Sequence, residues 1–322
     1  MTWFVERGIG EQRAIDVRKG HIIATRLLWP DELYAGYIAD AQLIARQTGS
    51  SRGTVRFANG EEALVDRLPR EASEGRTMRF EVTRAAIRET RRSKLAHARL
   101  TDKASQTPDL AEQLRKEGIR AEPVHAFPTE GWEEIVSEAL EGQIAFPGGA
   151  LQLSPTPAMT LIDIDGSLRG RELALAAVKP IARALRLFDL GGSIGIDFPT
   201  LETKAARKEV DQALEAALSG WLHERTAMNG FGFVQIVTRM TGPSLLHRAE
   251  GQRNRLLSRQ LLRRAEYITS PGMILLTAHP AVLAHISTND LTELARRTGR
   301  EIRCEQSSHL AIEAGFAQSV SL

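Results

Sequence analysis

The chain has 322 residues, 42% of them hydrophobic and 25% charged, with a net charge of +2. This is a globular composition with length for two or three compact units, and it excludes a disordered or fibrous chain. One cysteine, Cys304, excludes an internal disulfide framework and a single-chain cysteine zinc site. No leader pattern and no long apolar run occurs, so a cytoplasmic protein with no membrane association is expected.

The first 30 residues read as three short strands, around Trp3–Val5, Arg13–Val17 and His21–Thr25, with turns at Gly8/Gly10 and Lys19-Gly20. A polar break at 46–52 leads into a basic β-type stretch with a turn at Asn59-Gly60 and a strand around Met78–Val82. That stretch ends in Arg88, Arg91, Arg92, Lys94 and Arg99 with only Glu89 to offset them, either a solvated face or a phosphate-tracking surface. Residues 107–121 and 131–141 read as helices. From Ala150 strands and helices alternate: strand 158–165, helix 172–187 with a break or kink expected at Pro180, strand 193–198, helix 201–223 and strand 231–238. An Arg-rich helix over 248–265 leads to a small αβ unit with strands at 272–276 and 301–304 and helices at 280–286 and 289–297.

Of the 42 cationic residues 7 are Lys, which leaves 35 Arg. Arginine forks match phosphate bidentately and stack on bases, although GC-rich coding produces the same bias. More pointed is the segment Met159-Thr-Leu-Ile-Asp163-Ile-Asp165-Gly166. Alternation along a strand puts Asp163 and Asp165 on one face while Ile162 and Ile164 enter the core. Ile194-Gly195-Ile196-Asp197 repeats the arrangement, with Gly195 expected to leave room beside Asp197. If the strands are neighbours, three acids gather at one sheet edge and call for a hard cation such as Mg²⁺, with Mn²⁺ a possible substitute. His125, His223 and His247 have no partner at metal-binding spacing.

Two resemblances follow. Leu161-Ile-Asp163-Ile-Asp165-Gly-Ser-Leu168 is similar to the nucleophile loop of haloacid dehalogenase phosphatases, in which the first Asp takes the phosphoryl group. The downstream acidic pair of those enzymes is absent, and the loop is central rather than near the N-terminus. The longer stretch Leu185-Arg-Leu-Phe-Asp189-Leu-Gly-Gly192-Ser-Ile-Gly-Ile-Asp197-Phe198 strongly resembles the signature of the ribonuclease E/G family. Phe146-Pro-Gly-Gly149, Ile181-Ala-Arg183, Phe231-Gly-Phe-Val234 and Gly242-Pro-Ser-Leu245 fall in that family's order.

This resemblance implies an α/β, multidomain α+β fold. An RNase H-like domain (1–45 and 101–144) would be interrupted by a shortened OB-type β-barrel RNA-binding insert (46–100). A DNase I-like catalytic nuclease domain (145–250) and a small C-terminal αβ domain (251–322) would follow. It implies a Mg²⁺-dependent endoribonuclease that cuts internal phosphodiesters of single-stranded RNA, leaving 5′-phosphate and 3′-hydroxyl ends. Asp163 and Asp197 would ligate the metal, and Asp165 would stand where the family usually has Asn. Lys94 matches a basic barrel residue. Phe57 falls near a position where an aromatic can stack on a base, with barrel core the stronger expectation. Arg169 and Arg239 are close enough in sequence to clamp phosphate or else are plain surface charges.

Three departures shape the expectation. The Cys-Pro-x-Cys zinc link is missing after Leu245, so no zinc and no zinc-linked tetramer are expected. The segment before residue 107 is too short for a 5′-monophosphate sensing domain, so cleavage should be independent of the 5′ end. Pro157 stands where the family usually has Glu, which with Asp165 keeps open a catalytically weakened RNA-binding protein.

Overall fold

The computed structural model describes residues 2–88 and 93–321; Arg91 and Arg92 of the basic cluster lie outside them. Strands β1 (Thr2–Gly8), β2 (Glu11–Arg18) and β3 (His21–Leu28) form an antiparallel meander. Next, β4 (Ile38–Arg46), β5 (Gly53–Phe57), β6 (Glu62–Val65) and β7 (Thr77–Arg84) precede the short pair β8 (Ile87–Arg88) and β9 (Ser93–Lys94) and then β10 (Ala96–Leu100). Strands β4, β5, β6, β7 and β10 close into a barrel in the order β10-β6-β5-β4-β7. The barrel thus starts at Ile38, ahead of the boundary expected at 46. The polar 46–52 stretch is the β4–β5 hairpin loop and not a junction between units. Val55, Phe57, Phe80, Val82 and Ala98 alternate inward to fill the barrel.

Helix α1 (Leu110–Lys116) opens on an Asp109–Glu112 capping box and leads to β11 (Arg120–Val124), which pairs parallel to β1 and completes a four-stranded sheet. The polar, Pro123-containing β11 gives no alternating signal, which is why a helix extending to 121 was expected there. Helix α2 (Trp132–Glu141) then precedes the hairpin β12 (Gln143–Phe146) and β13 (Gly149–Pro155), turning at Pro147-Gly148.

The larger α/β unit continues with β14 (Thr160–Gly166), α3 (Gly170–Leu187), β15 (Gly192–Asp197), α4 (Lys204–Ala217), β16 (Glu224–Arg225) and β17 (Phe233–Thr238). Its six-stranded sheet runs β12-β13-β14-β15-β17-β16, with β14 and β15 parallel and the other pairs antiparallel. Helix α3 passes through Pro180 without ending there. The missing Pro180 N–H costs one backbone bond, but Leu173, Ala177, Val178, Ile181, Ala184 and Leu185 bury a continuous stripe that holds both halves. At its end Asp189 takes a left-handed φ of 49° and the Leu190 N–H donates to the Leu185 carbonyl, closing the helix ahead of Gly191-Gly192.

The Arg-rich segment is two helices, α5 (Leu245–Gly251) and α6 (Arg253–Glu266), broken at Gln252. Finally β18 (Met273–Ala278), α7 (Pro280–Leu283), α8 (Thr288–Thr298), β19 (Ile302–Gln306) and β20 (Phe316–Val320) form the small αβ unit, with β18 central in its three-stranded sheet. No helix among the described residues is long and apolar enough to cross a membrane.

Candidate active site

The two acid-bearing strands lie side by side in register: Thr160 pairs with Ile194, Ile162 with Ile196 and Asp163 with Asp197. Ile162, Ile164 and Ile196 are buried beneath α3, whereas Asp163, Asp165 and Asp197 are exposed on the opposite face. Neighbouring strands are about 4.8 Å apart, so the Asp163 and Asp197 backbones stand at that spacing with both carboxylates in water. On its other side Asp163 pairs with Gln152 of β13. One Asp163 side-chain oxygen accepts from the Ile164 N–H at 3.0 Å, and among the described residues the Asp165 and Asp197 side chains engage in no hydrogen bond or ion pair.

The expected gathering of three acids is corrected to a pair plus one. β15 ends at Asp197, so Asp165, one pleat further along β14, pairs only with Ala150 of β13 and has no strand beside it on the other flank. Among the described residues no group of three His, Cys, Asp or Glu side chains is placed to hold a metal ion. Two unpaired, water-exposed carboxylates fit Mg²⁺, which keeps most of its waters and takes one or two carboxylates; they do not form an all-protein cage.

The room expected beside Gly195 is also filled. A Cβ there would stand 2.5 Å from Cζ of Phe233 and 2.9 Å from Sδ of Met159. Phe233 is the diagonal neighbour on β17, and its ring covers the glycine, as aromatics do over glycines in antiparallel pairs.

The proposed phosphate-binding residues scatter. Arg169 is exposed at the start of α3, at the rim where β14 ends one residue past Asp165, and the neighbouring Gly170 lies close to Pro199 and Thr200 just beyond Asp197. Arg239 follows β17 at the opposite end: Thr238 pairs with Gly192 while Phe233 pairs with Asp197, a separation of roughly 17 Å along the strands. It is therefore not a clamp for this pair. The Lys94 ammonium donates to the Pro157 carbonyl at 3.1 Å, docking the barrel on the β13–β14 turn, at the far end of β14 from Asp165. Phe57 is 3% exposed and packs edge-on to Tyr37 inside the barrel, so it offers no face to a base. Of the remaining basic cluster, Arg99 pairs with Glu81 at 2.8 Å. Phe231, to which no role was assigned from the sequence, is 83% exposed on the turn before β17; its only signal was an aromatic set between Asn229-Gly230 and Gly232.

The acids stand on an open sheet face. Two surface concavities, about 650 Å³ beside Pro108 and Arg115 and about 480 Å³ beside Arg259 and Asp290, have none of the three acids in their walls.

The model of the Ribonuclease E/G family matches residues 59–240, spanning most of the barrel and all three acids. Ribonuclease G of Escherichia coli K12 is 31% identical over 202 residues, 58% of this chain and 39% of that protein. Ribonuclease G of Haemophilus influenzae is 37% identical over 134 residues, 38% of this chain and 27% of that protein. Ribonuclease E of Buchnera aphidicola is 36% identical over 92 residues, 26% of this chain and 10% of its own length. The chain thus spans less than two-fifths of the length of these relatives. The match runs through both strands that carry the acid pair, and the chain belongs to the ribonuclease E/G family.

Proposed function

We propose that this chain is an endoribonuclease that hydrolyses internal phosphodiesters of single-stranded RNA, leaving 5′-phosphate and 3′-hydroxyl ends. The observation that carries the reading is the in-register pairing of Asp163 with Asp197 on the open face of the sheet, inside the family-matched segment. Small-molecule sites are enclosed clefts, whereas an exposed sheet face admits a long chain. The haloacid dehalogenase-like phosphatase reading falls away with family membership.

Asp163 and Asp197 would hold Mg²⁺, or Mn²⁺ in its place, through their carboxylate oxygens. The bound ion supplies an activated water and shields phosphodiester charge. Around it, Gln152 borders Asp163 and limits its freedom on the β13 side. Arg169, on the same rim, can bind a phosphate of the chain entering past Asp165 and offset that extra carboxylate. Lys94 serves the reading indirectly, by tying the barrel to the sheet that bears the acids.

Asp197→Asn and Asp163→Asn should each lower cleavage of labelled single-stranded RNA by at least about a hundredfold, with RNA binding nearly unchanged. Wild type should cut only when Mg²⁺ or Mn²⁺ is added. Cleavage by Asp197→Asn at the wild-type rate would sink the reading. A second reading, a weakened RNA-binding protein, rests on Pro157 and Asp165, and the Phe233 ring over Gly195 takes up the space beside Asp197. It would show wild type binding RNA, with steep salt dependence, and cutting nothing in the same gel.

A further inference from the structure

We propose that Phe231 is a stacking platform for a base of the single-stranded RNA beside the acid pair, an inference that rests on the ribonuclease reading. The ring is 83% exposed and adds nothing to a core. Its backbone, by contrast, is tightly held. The Asn229 side-chain oxygen accepts from the N–H groups of Phe231 at 2.9 Å and Phe233 at 3.0 Å, and the Asn229 N–H donates to the Phe233 carbonyl at 3.1 Å.

The turn is also fastened to the acid strand. The Phe198 N–H, one residue past Asp197, donates to the Gly232 carbonyl at 3.2 Å. Gly232 has a φ of 91°, and a Cβ on it would stand 2.3 Å from the Phe198 carbonyl oxygen, so only glycine permits this approach. Since Phe233 pairs with Asp197, chain geometry alone keeps the Phe231 Cα within about 13 Å of the Asp197 Cα. A strand whose phosphate lies at the acids therefore has within reach a solvent-facing ring on a firmly held backbone. Stacking needs an exposed π-face and tolerates any base. Phe57, sealed in the barrel, cannot supply that face. The stacked base belongs to a nucleotide flanking the scissile phosphate on the Phe198 side.

The test uses the full chain carrying Asp197→Asn, so that bound RNA is not cut. A fluorescein-labelled mixed-sequence single-stranded RNA is titrated with this parent and with versions that also carry Phe231→Ala or Phe231→Trp. A set of the same RNA with one abasic nucleotide at successive positions is titrated in parallel. Phe231→Ala should raise Kd between about fivefold and about a hundredfold, and Phe231→Trp should restore it. At one position, loss of the base should weaken the parent to the same extent and leave Phe231→Ala with no further deficit. Equal binding by Phe231→Ala and the parent would overturn the proposal. So would a Phe231→Ala deficit that persists at every abasic position. Cleavage by the chain with Asp197 intact, scored separately, keeps the two readings apart. Cutting without any Phe231 effect on binding removes only the stacking platform, and a Phe231 effect without cutting removes only the nuclease. A parent that binds no RNA overturns both.

Discussion

Asp163, Asp165 and Asp197 share a residue type and a sheet face, yet their surroundings differ. Asp163 and Asp197 have acid-bearing strands on adjoining flanks, and Asp165 stands beyond the end of β15. Phe57 and Phe231 make the complementary contrast: one ring is sealed in a barrel, the other stands in solvent. The prediction for Phe57 follows from its burial. Phe57→Ala should cost about 3–5 kcal/mol of stability by emptying a barrel core, read as a lower denaturant midpoint. RNA affinity measured on the folded variant should not change. Weaker RNA binding at an unchanged midpoint would show that the ring does contact the substrate.

Among the elements, α5 and α6 depart furthest from expectation. Their arginines turn inward as ties. Arg259 pairs with Asp290 of α8 at 2.8 Å, Arg263 with Glu6 of β1 at 3.2 Å and Arg264 with Glu133 of α2 at 3.0 Å. Arg248 and Arg255 lie against the buried Trp29 ring, at 3.9 and 4.1 Å from its centroid, and reach Glu32 at 3.1 and 2.9 Å. The helices thus join the N-terminal sheet to the C-terminal unit, and their positive charge is spent on protein carboxylates. Burial by itself would push the Glu32 carboxyl up, but Arg248 and Arg255, helped by the Gln252 amide, hold it below its ordinary 4.5. Glu32→Gln takes from the buried Arg248 its carboxylate partner, while Arg255 keeps Asp31 at 2.5 Å, and should cost about 3 kcal/mol. A carboxyl held low in the folded state contributes stability that is fully present above its unfolded value and is lost as pH falls through its folded value. The gap in denaturant midpoint between wild type and Glu32→Gln should accordingly be full above about pH 4.5 and close below it. A gap that stays constant into acid would refute the ion-pair account.

Across the whole molecule, residues 101–109 alone connect the barrel strand β10 to α1, a length that holds no further folded unit. Substrates with 5′-triphosphate and 5′-monophosphate ends should accordingly turn over at comparable rates; a large monophosphate preference would rule out internal entry. Much of the architecture was legible in sequence. Strand-helix alternation after Ala150 announced the α/β unit, and period-two burial in Met159–Gly166 placed Asp163 and Asp165 on one face, because face is a local property of the strand. Register is different, since it depends on lateral hydrogen bonds between segments distant in the chain. Only the tertiary structure could decide that Asp163 stands opposite Asp197, that β15 stops short of Asp165 and that Arg239 falls at the wrong end of the sheet. Burial of Phe57 and exposure of Phe231 likewise depend on what packs around each ring. The sequence by itself determined which residues could share a face and which family the signature resembles; packing and register determined which of them meet.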